Sequence, residues 1–438
     1  MTTLWYSTLG IGDSHDVATR GYLDSLLAVG YAGLRLPPSR TTGLLNIRPG
    51  SELARYAHLA MPPSPAKAVY VQPGDHRVGT PRPVAFPDGG AYPGPAGEMT
   101  LDPVGPEDRL WRAGDFDPAN TPREFFASAG ERVDCVVVHH DPGSTARTVS
   151  GLLRLGRPPG VAYVGITVWE ANRIPAEIAA VLGDLDVMVV PSRHTERAML
   201  EGGLEVPICV IPHAADFDFW AQPDLRLEQA ETYDFYSIAT DIPRKNLDGL
   251  VKAFCLAFEG RKDVRLWLKV SGKPDALRRL MPARTLPQVV LLSQRWPMAR
   301  VRELHLASDC YVDATRGEGF GLPHLEASLC GNPVVTTGWG AAPEVLEVAG
   351  GAYKLVDSAL VPVPEEMAKY GPYSGAQLWA EPKLDDLVEA MRAMERDRPG
   401  RDPSKWTRLQ PAYSTQAVGA ALVEVLAGAK QAATCQAS

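Results

Sequence analysis

Apolar residues along the chain fall into two arrangements: short continuous runs, and longer stretches spaced three and four apart. A continuous run fits a parallel strand covered on both faces, whereas three-four spacing gives a helix one apolar stripe. A strand-like run at 4–8 leads into Gly10-Ile11-Gly12-Asp13-Ser14. A helical stretch follows, with Val17, Tyr22, Leu23, Leu26, Leu27 and Val29 in phase and Gly30 as its stop. Further runs at 133–139, 161–167, 186–190 and 208–211 predict strands of the same sheet. Between these and the opening, residues 62–122 are dense in Pro and Gly. They predict strands interrupted by long loops, or an insertion.

Strand, glycine turn and helix in that order open a Rossmann-like domain. Residues 213–231 read as a linker carrying little structure, and a second α/β series starts beyond them. It comprises a strand at 235–239 and a helix at 247–258, with Leu247, Leu250, Val251, Phe254 and Phe258 on one face. Strands at 264–270, 289–292, 310–314 and 333–336 follow, and helices at 384–394 and 415–426 close the chain. The predicted organisation is α/β with two Rossmann-like domains, 1–212 and 232–405, and a C-terminal helical segment, 406–438. No repeat of solenoid length is visible.

Composition narrows the class without changing the fold. A chain of 438 residues that is 45% hydrophobic and 22% charged is neither disordered nor fibrous, and it is long enough for two domains. A net charge of −8 argues against non-specific coating of nucleic acid or acidic membrane. A local basic groove is still allowed, and the basic residues are densest between Arg244 and Arg302. The six cysteines show no CxxC pair and no zinc-type spacing, which favours reduced thiols over a disulfide frame. The first ten residues lack a leader pattern and no run is long enough to span a bilayer, so the cytoplasm is the expected location.

The densest chemistry lies in Thr315-Arg316-Gly317-Glu318-Gly319-Phe320-Gly321-Leu322-Pro323-His324-Leu325-Glu326-Ala327. A strand ends there in a glycine-rich turn that exposes Glu318, and a helix starts near Leu322 with Pro323 in its first turn. The backbone N–H groups of Gly319, Phe320, Gly321 and Leu322 point out of that helix start, where they can bind anionic or hydroxylated ligands. Glu326 lies on the same helix, so both carboxylates can line one cleft.

This run resembles the E-x7-E motif of the retaining GT-B glycosyltransferases of family four. The resemblance covers roughly residues 160–350 and implies a GT-B fold, with two Rossmann-like domains facing each other across a cleft. It implies a UDP- or GDP-sugar as co-substrate, no permanently bound cofactor and no metal. Glu318 would contact the donor sugar, and Glu326 would hold the ribose hydroxyls. Asp241-Ile242-Pro243-Arg244-Lys245-Asn246 is similar to the family's R-K-N phosphate clamp. It places Arg244 and Lys245 on the diphosphate, a role that suits two cations at a strand-to-helix turn. Segments 331–336, 343–345, 191–194 and 210–216 extend the likeness, and the last helix is expected to pack back on the first domain.

Trp169 and Glu170 end a first-domain strand and should face the cleft. Trp169 is placed either to stack on a ligand or to pack, and Glu170 to bond a hydroxyl. In relatives of this type a histidine near the end of a neighbouring strand touches the donor sugar, which makes His139 or His140 a candidate. Asp216-Phe217-Asp218 reads as a metal-binding D-x-D, yet it falls in the linker. Gly10 and Gly12 lack the third glycine of a dinucleotide fingerprint, since position 15 is His15; they read as lining the acceptor side. The resemblance implies sugar transfer with retention, the departing phosphate taking the acceptor's proton. A small molecule, a glycan, a lipid-linked sugar, a protein side chain and a hydroxylated DNA base all stay open as acceptor. A nucleotide-sugar epimerase and a non-catalytic binding protein are the remaining alternatives.

Overall fold

The computed structural model describes residues 1, 3–7, 14–35, 68–70, 109–111, 133–153, 157–220, 232–271, 288–293 and 296–437. The first part of the chain gives β1 (Thr3–Ser7), α1 (Ser14–Ala28), β2 (Leu34–Arg35), β3 (Ala68–Tyr70), β4 (Arg109–Trp111) and β5 (Cys135–His139). It continues through α2 (Pro142–Leu153), β6 (Ala162–Ile166), α3 (Ala176–Leu182), β7 (Val187–Val190), α4 (Arg193–Glu201), β8 (Ile208–Val210) and α5 (Phe217–Trp220). Strands β2-β1-β5-β6-β7-β8 form one parallel sheet, and β3 pairs with β4 apart from it.

The continuous apolar runs have a direct cause. On β5, Cys135 and Val137 point into one core, while Val136 and Val138 point into another; β7 repeats this with Val187 and Val189 against Met188 and Val190. Successive strand residues face opposite sides, so a sheet with two covered faces needs every position apolar.

A second parallel sheet, ordered β11-β10-β9-β12-β13-β14, uses β9 (Tyr233–Thr240), β10 (Val264–Ser271), β11 (Val289–Leu292), β12 (Cys310–Val312), β13 (Val334–Thr337) and β14 (Tyr353–Val356). Its helices are α6 (Leu247–Ala257), α7 (Met298–Ala307), α8 (Leu322–Leu329) and α9 (Ala342–Ala349). After an antiparallel hairpin, β15 (Ser358–Pro362) with β16 (Leu378–Pro382), the chain ends in α10 (Leu384–Asp397), α11 (Ser404–Tyr413) and α12 (Thr415–Ala437). Two-sheet α/β architecture is what the apolar pattern predicts.

Three features depart from the sequence reading. The linker carries a helical turn, α5, because Asp216 Oδ1 accepts from Phe219 N (2.9 Å) while Phe217 and Trp220 are buried. The last helix runs on to Ala437, with Val418, Leu422, Leu426, Ala429 and Ala433 all joining the core of the first sheet. The hairpin β15–β16 is absent from the pattern, since β15 is largely exposed and its short runs do not alternate clearly. The segment around it sends Val363, Met367, Tyr373 and Trp379 into the other core of the first sheet. Of residues 62–122 only β3 and β4 are described, so the expected insertion otherwise lies outside the described residues.

Helix α12 docks on α1 through Gly419, where a Cβ would overlap Ser25 O and stand 2.7 Å from Ser25 C. Gly419→Ala should therefore cost about 1–3 kcal/mol by forcing the two helices apart. At Gly428 a Cβ meets nothing within 4 Å, so Gly428→Ala should be neutral or stabilising by up to about 1 kcal/mol. Chemical denaturation of both variants checks this, and equal effects would contradict the docking.

Candidate functional site

The glycine-rich turn follows β12 and meets the first half of the chain at backbone distance. A Cβ at Gly317 would overlap the Glu170 carbonyl oxygen, and one at Gly319 would overlap Val168 Cγ2 and stand 2.8 Å from Trp169 O. Side chains at these two positions would push the loop 168–170 away; glycine is what lets it touch. The Gly319 carbonyl accepts from Ser192 Oγ (2.6 Å) and Thr195 Oγ1 (3.1 Å), both at the start of α4. In return, the Glu344 carboxylate at the start of α9 accepts from the backbone N–H groups of Arg193 (2.9 Å) and His194 (2.7 Å). Gly321 sits at φ +90° as the N-cap of α8, a left-handed conformation that glycine adopts without strain.

Charge concentrates on this contact. Arg244 and Lys245 form a 3-10 turn directly after β9, and Arg316 N donates to the Arg244 carbonyl (2.7 Å), tying that turn to the glycine-rich one. Lys245 Nζ bonds Glu318 Oε1, which also accepts from Thr315 Oγ1 (3.1 Å). Arg244 reaches three ways. Nη1 donates to Gly317 O (2.6 Å) and lies 3.6 Å from Glu318 Oε2, while Nη2 lies 3.1 Å from Glu170 Oε1. Its Nε is buried with no hydrogen-bond partner among the described residues. Glu170 is held in turn by the Tyr373 hydroxyl, which donates to Oε2 (2.8 Å).

Burial pushes the Glu318 carboxyl upward, but Lys245, Arg244 and then His324 outweigh it and hold it at about 2. Burial likewise works against the Arg244 cation, yet Glu170 and Glu318 win and its pKa is raised. Glu318 and Arg244 are therefore both charged at neutral pH, and the cluster sets two basic side chains against two carboxylates. Beneath the turn, His324 Nε2 lies 2.9 Å from Asp313 Oδ2, and Thr336 Oγ1 donates to Asp313 Oδ1 (2.7 Å). The Tyr311 hydroxyl is raised by burial and then by Asp313, Glu318, Tyr236 and Glu326, so both motif glutamates act on one buried phenol.

The expected residues separate into groups. Arg244, Lys245, Glu318 and Glu170 are in contact, with Gly319, Phe320, Gly321 and Leu322 at the helix start beside them. Glu326 stays out of that cluster; its Oε2 lies 3.5 Å from His305 Nε2. Phe320 turns its ring toward His213 (4.7 Å between centroids). Trp169 packs: it is buried, stacked on Tyr373 at 4.6 Å, with Nε1 donating to Arg173 O (2.7 Å). His139 packs on Trp5 and Tyr22 with Nδ1 3.1 Å from Thr19 Oγ1, and the His140 carbonyl accepts from Thr145 Oγ1 (3.2 Å) in the first half. Gly10 and Gly12 lie outside the described residues. Asp216 caps a helical turn. Sequence reasoning missed Tyr373, Asp313, His324 and His305. Only the aromatic-rich 370–379 stretch offered a signal, and nothing there gave its partner.

The Glu318 pair has a stability signature. Its folded pKa lies below the ordinary value of 4.5, so its stabilisation is present above that value and is lost as pH falls toward about 2. Glu318→Gln leaves Lys245 without its carboxylate and Arg244 with Glu170 alone, and should destabilise at pH 7 by about 3–5 kcal/mol. Denaturation curves from pH 7 down to pH 3 should show the gap between variant and parent narrowing below about 4.5. A gap that stays constant would refute the ion pairing.

Residues 235–370 match the family described as Glycosyl transferases group 1. Among curated proteins, the chain is 29% identical over 180 residues to the GDP-mannose-dependent alpha-(1-6)-phosphatidylinositol monomannoside mannosyltransferase of Mycolicibacterium smegmatis. That alignment covers 37% of this chain and 47% of the relative, so the chain spans about half the relative's length. Among solved structures, sucrose-phosphate synthase from Thermosynechococcus elongatus superposes with a TM-score of 0.61 at 14% identity, covering 99% of this chain and 100% of that one. The Anabaena protein HepE, in complex with UDP and glucose, gives 0.61 at 13% identity, covering 98% and 100%. These likenesses extend over both sheets, whereas the family match lies within the second. The chain thus has the GT-B fold, and its residues 235–370 are similar to the glycosyltransferase group 1 family.

Proposed function

We propose that the chain is a retaining glycosyltransferase of the cytoplasm, moving a sugar from a nucleoside-diphosphate sugar to an acceptor hydroxyl without a metal. The observation that carries this is the Arg244–Lys245–Glu318 cluster, set beside the start of α8 inside the group 1 domain. A departing diphosphate gains negative charge, and fixed cations at a buried helix start stabilise that charge more than water does. Arg244 already carries a buried Nε–H without a partner among the described residues, a donor suited to a phosphate oxygen. Glu318 positions the sugar, and Glu326 holds the ribose hydroxyls. The acceptor attacks from the face that the leaving group quits, and the departing phosphate takes its proton.

The cluster is balanced before any phosphate arrives, so an anionic donor must replace one carboxylate on Arg244. Glu170 is the one that yields. It comes from the opposite half, and its side chain is 20% exposed against 8% for Glu318. GDP-mannose is the first donor to test, because the Mycolicibacterium smegmatis relative is named as GDP-mannose-dependent. The acceptor of that relative, a phosphatidylinositol monomannoside, favours a glycan or lipid-linked sugar among the acceptor classes.

A thermal-shift screen of GDP, UDP and their sugars should find one nucleotide that stabilises the full chain, and acceptor trials then use its sugar. Arg244→Ala should lower turnover with that donor about 10²–10³-fold, and Glu326→Ala should weaken nucleotide binding. Intact turnover and affinity in both variants would remove the site assignment. Product anomeric configuration, read by NMR, should match the donor, and inversion would end the retaining reading. Turnover should persist in excess chelator.

A further inference from the structure

Glu326 stands apart from Arg244, and the groups around it form a chain whose donors and acceptors are fixed one by one. Arg401 has only donors, and its Nε donates to Asn332 Oδ1 (2.9 Å). The Asn332 amide nitrogen therefore faces the other way. It donates to the His305 carbonyl (2.6 Å) and to the Tyr236 hydroxyl (2.7 Å). Tyr236 has a single proton, and its oxygen lies 2.7 Å from His305 Nδ1. Since that oxygen already accepts from Asn332, its proton goes to Nδ1, and the ring proton of His305 is left on Nε2.

Nε2 is buried, has no hydrogen-bond partner among the described residues, and lies 3.5 Å from Glu326 Oε2. The imidazole is clamped edge-on by Trp220 (5.5 Å between centroids, 90°) and Tyr236 (5.2 Å, 89°), so it keeps this aim. A buried N–H costs free energy until it finds an acceptor, and the carboxylate is a small side-chain adjustment away.

We propose that His305 is a positioning residue for Glu326. Its Nε2–H takes one carboxylate oxygen and turns the remaining lone pairs toward the donor's ribose hydroxyls. This rests on the assignment of Glu326 to the ribose made above. A glutamate free to rotate loses side-chain entropy when it captures a diol, whereas one held from behind has lost it already. The chain from Arg401 through Asn332, Tyr236 and His305 thus fixes a contact made at its far end.

The test titrates the full chain with GDP and with UDP by calorimetry, then compares the tighter ligand with its 2′,3′-dideoxy analogue. His305→Phe keeps a ring between Trp220 and Tyr236 but removes both nitrogens. It should weaken the ribonucleotide about tenfold and leave the dideoxy analogue unchanged. His305→Gln, which returns an N–H near the Nε2 position, should recover most of the loss. Tyr236→Phe frees the tautomer and should weaken the ribonucleotide in the same selective way; it carries the test if His305→Phe does not fold. Equal weakening of both ligands, or of neither, overturns the proposal. Glu326→Gln distinguishes the two levels. If it leaves ribonucleotide affinity intact, the ribose assignment fails and this proposal with it. If it weakens the ribonucleotide selectively while His305→Phe does not, only the proposal fails.

Discussion

One arginine joins the two halves of this protein, and much else is arranged around it. Arg244 belongs to the second sheet, yet its guanidinium lies between Glu318 of its own half and Glu170 of the other. A planar cation with five donors can serve several acceptors at once, which a lysine ammonium does less specifically. Removing either carboxylate would leave the cations underbalanced, and removing the arginine would leave Glu170 without its cation while Lys245 still holds Glu318. The contact between the halves therefore carries buried charge as well as the apolar packing of Val363, Met367, Tyr373 and Trp379. The cores of both sheets are instead rich in Val and Leu.

That contact can form only because the backbones around it come close. Gly317 and Gly319 have no Cβ to hold off the loop 168–170, and Ser192 and Thr195 then bond the Gly319 carbonyl that faces them. Glu344 completes the seam by capping α4 across the same boundary. Parallel sheets end their strands on one side, and here both sheets aim their strand ends and helix starts at each other. Anything bound beside α8 must share this seam with Glu170. A ligand bound there would be coupled to the relation between the halves through the same few atoms.

Much of this was legible in the sequence, for a physical reason. Doubly covered strands such as β5 and β7 must be apolar at every position, and a turn that receives another backbone must be glycine, so both leave local marks. Arg244, Lys245, Glu318 and Glu170 could be picked out because each lies in the loop or turn after a strand, where side chains reach a cleft. The hairpin β15–β16 left no such mark, because its strands are short and β15 is largely exposed. Tyr373 was invisible as a partner of Glu170, being some two hundred positions away and carried by that hairpin. Asp313, His324 and His305 sit inside ordinary strand and helix patterns. Only the three-dimensional neighbourhood shows that they are buried polar groups with defined partners.

The two glutamates of α8 and the turn before it show how one helix start can divide two tasks. Glu318 faces two full positive charges and stays ionised far into acid, so it acts as a fixed counter-charge that organises Lys245 and Arg244. Glu326 pairs with no Lys or Arg among the described residues; its Oε2 instead meets an imidazole whose partners already determine where its proton lies. An acid gripped by cations is costly to detach and suits a place where geometry must not change. An acid met from one side by a single N–H keeps acceptor capacity for neutral hydroxyls. Both carboxylates raise the pKa of the buried Tyr311 phenol, after burial itself and Asp313. The electrostatics therefore give Glu318 the charge balance of the seam, and moving that carboxylate to the place of Glu326 would leave Lys245 without its counter-ion.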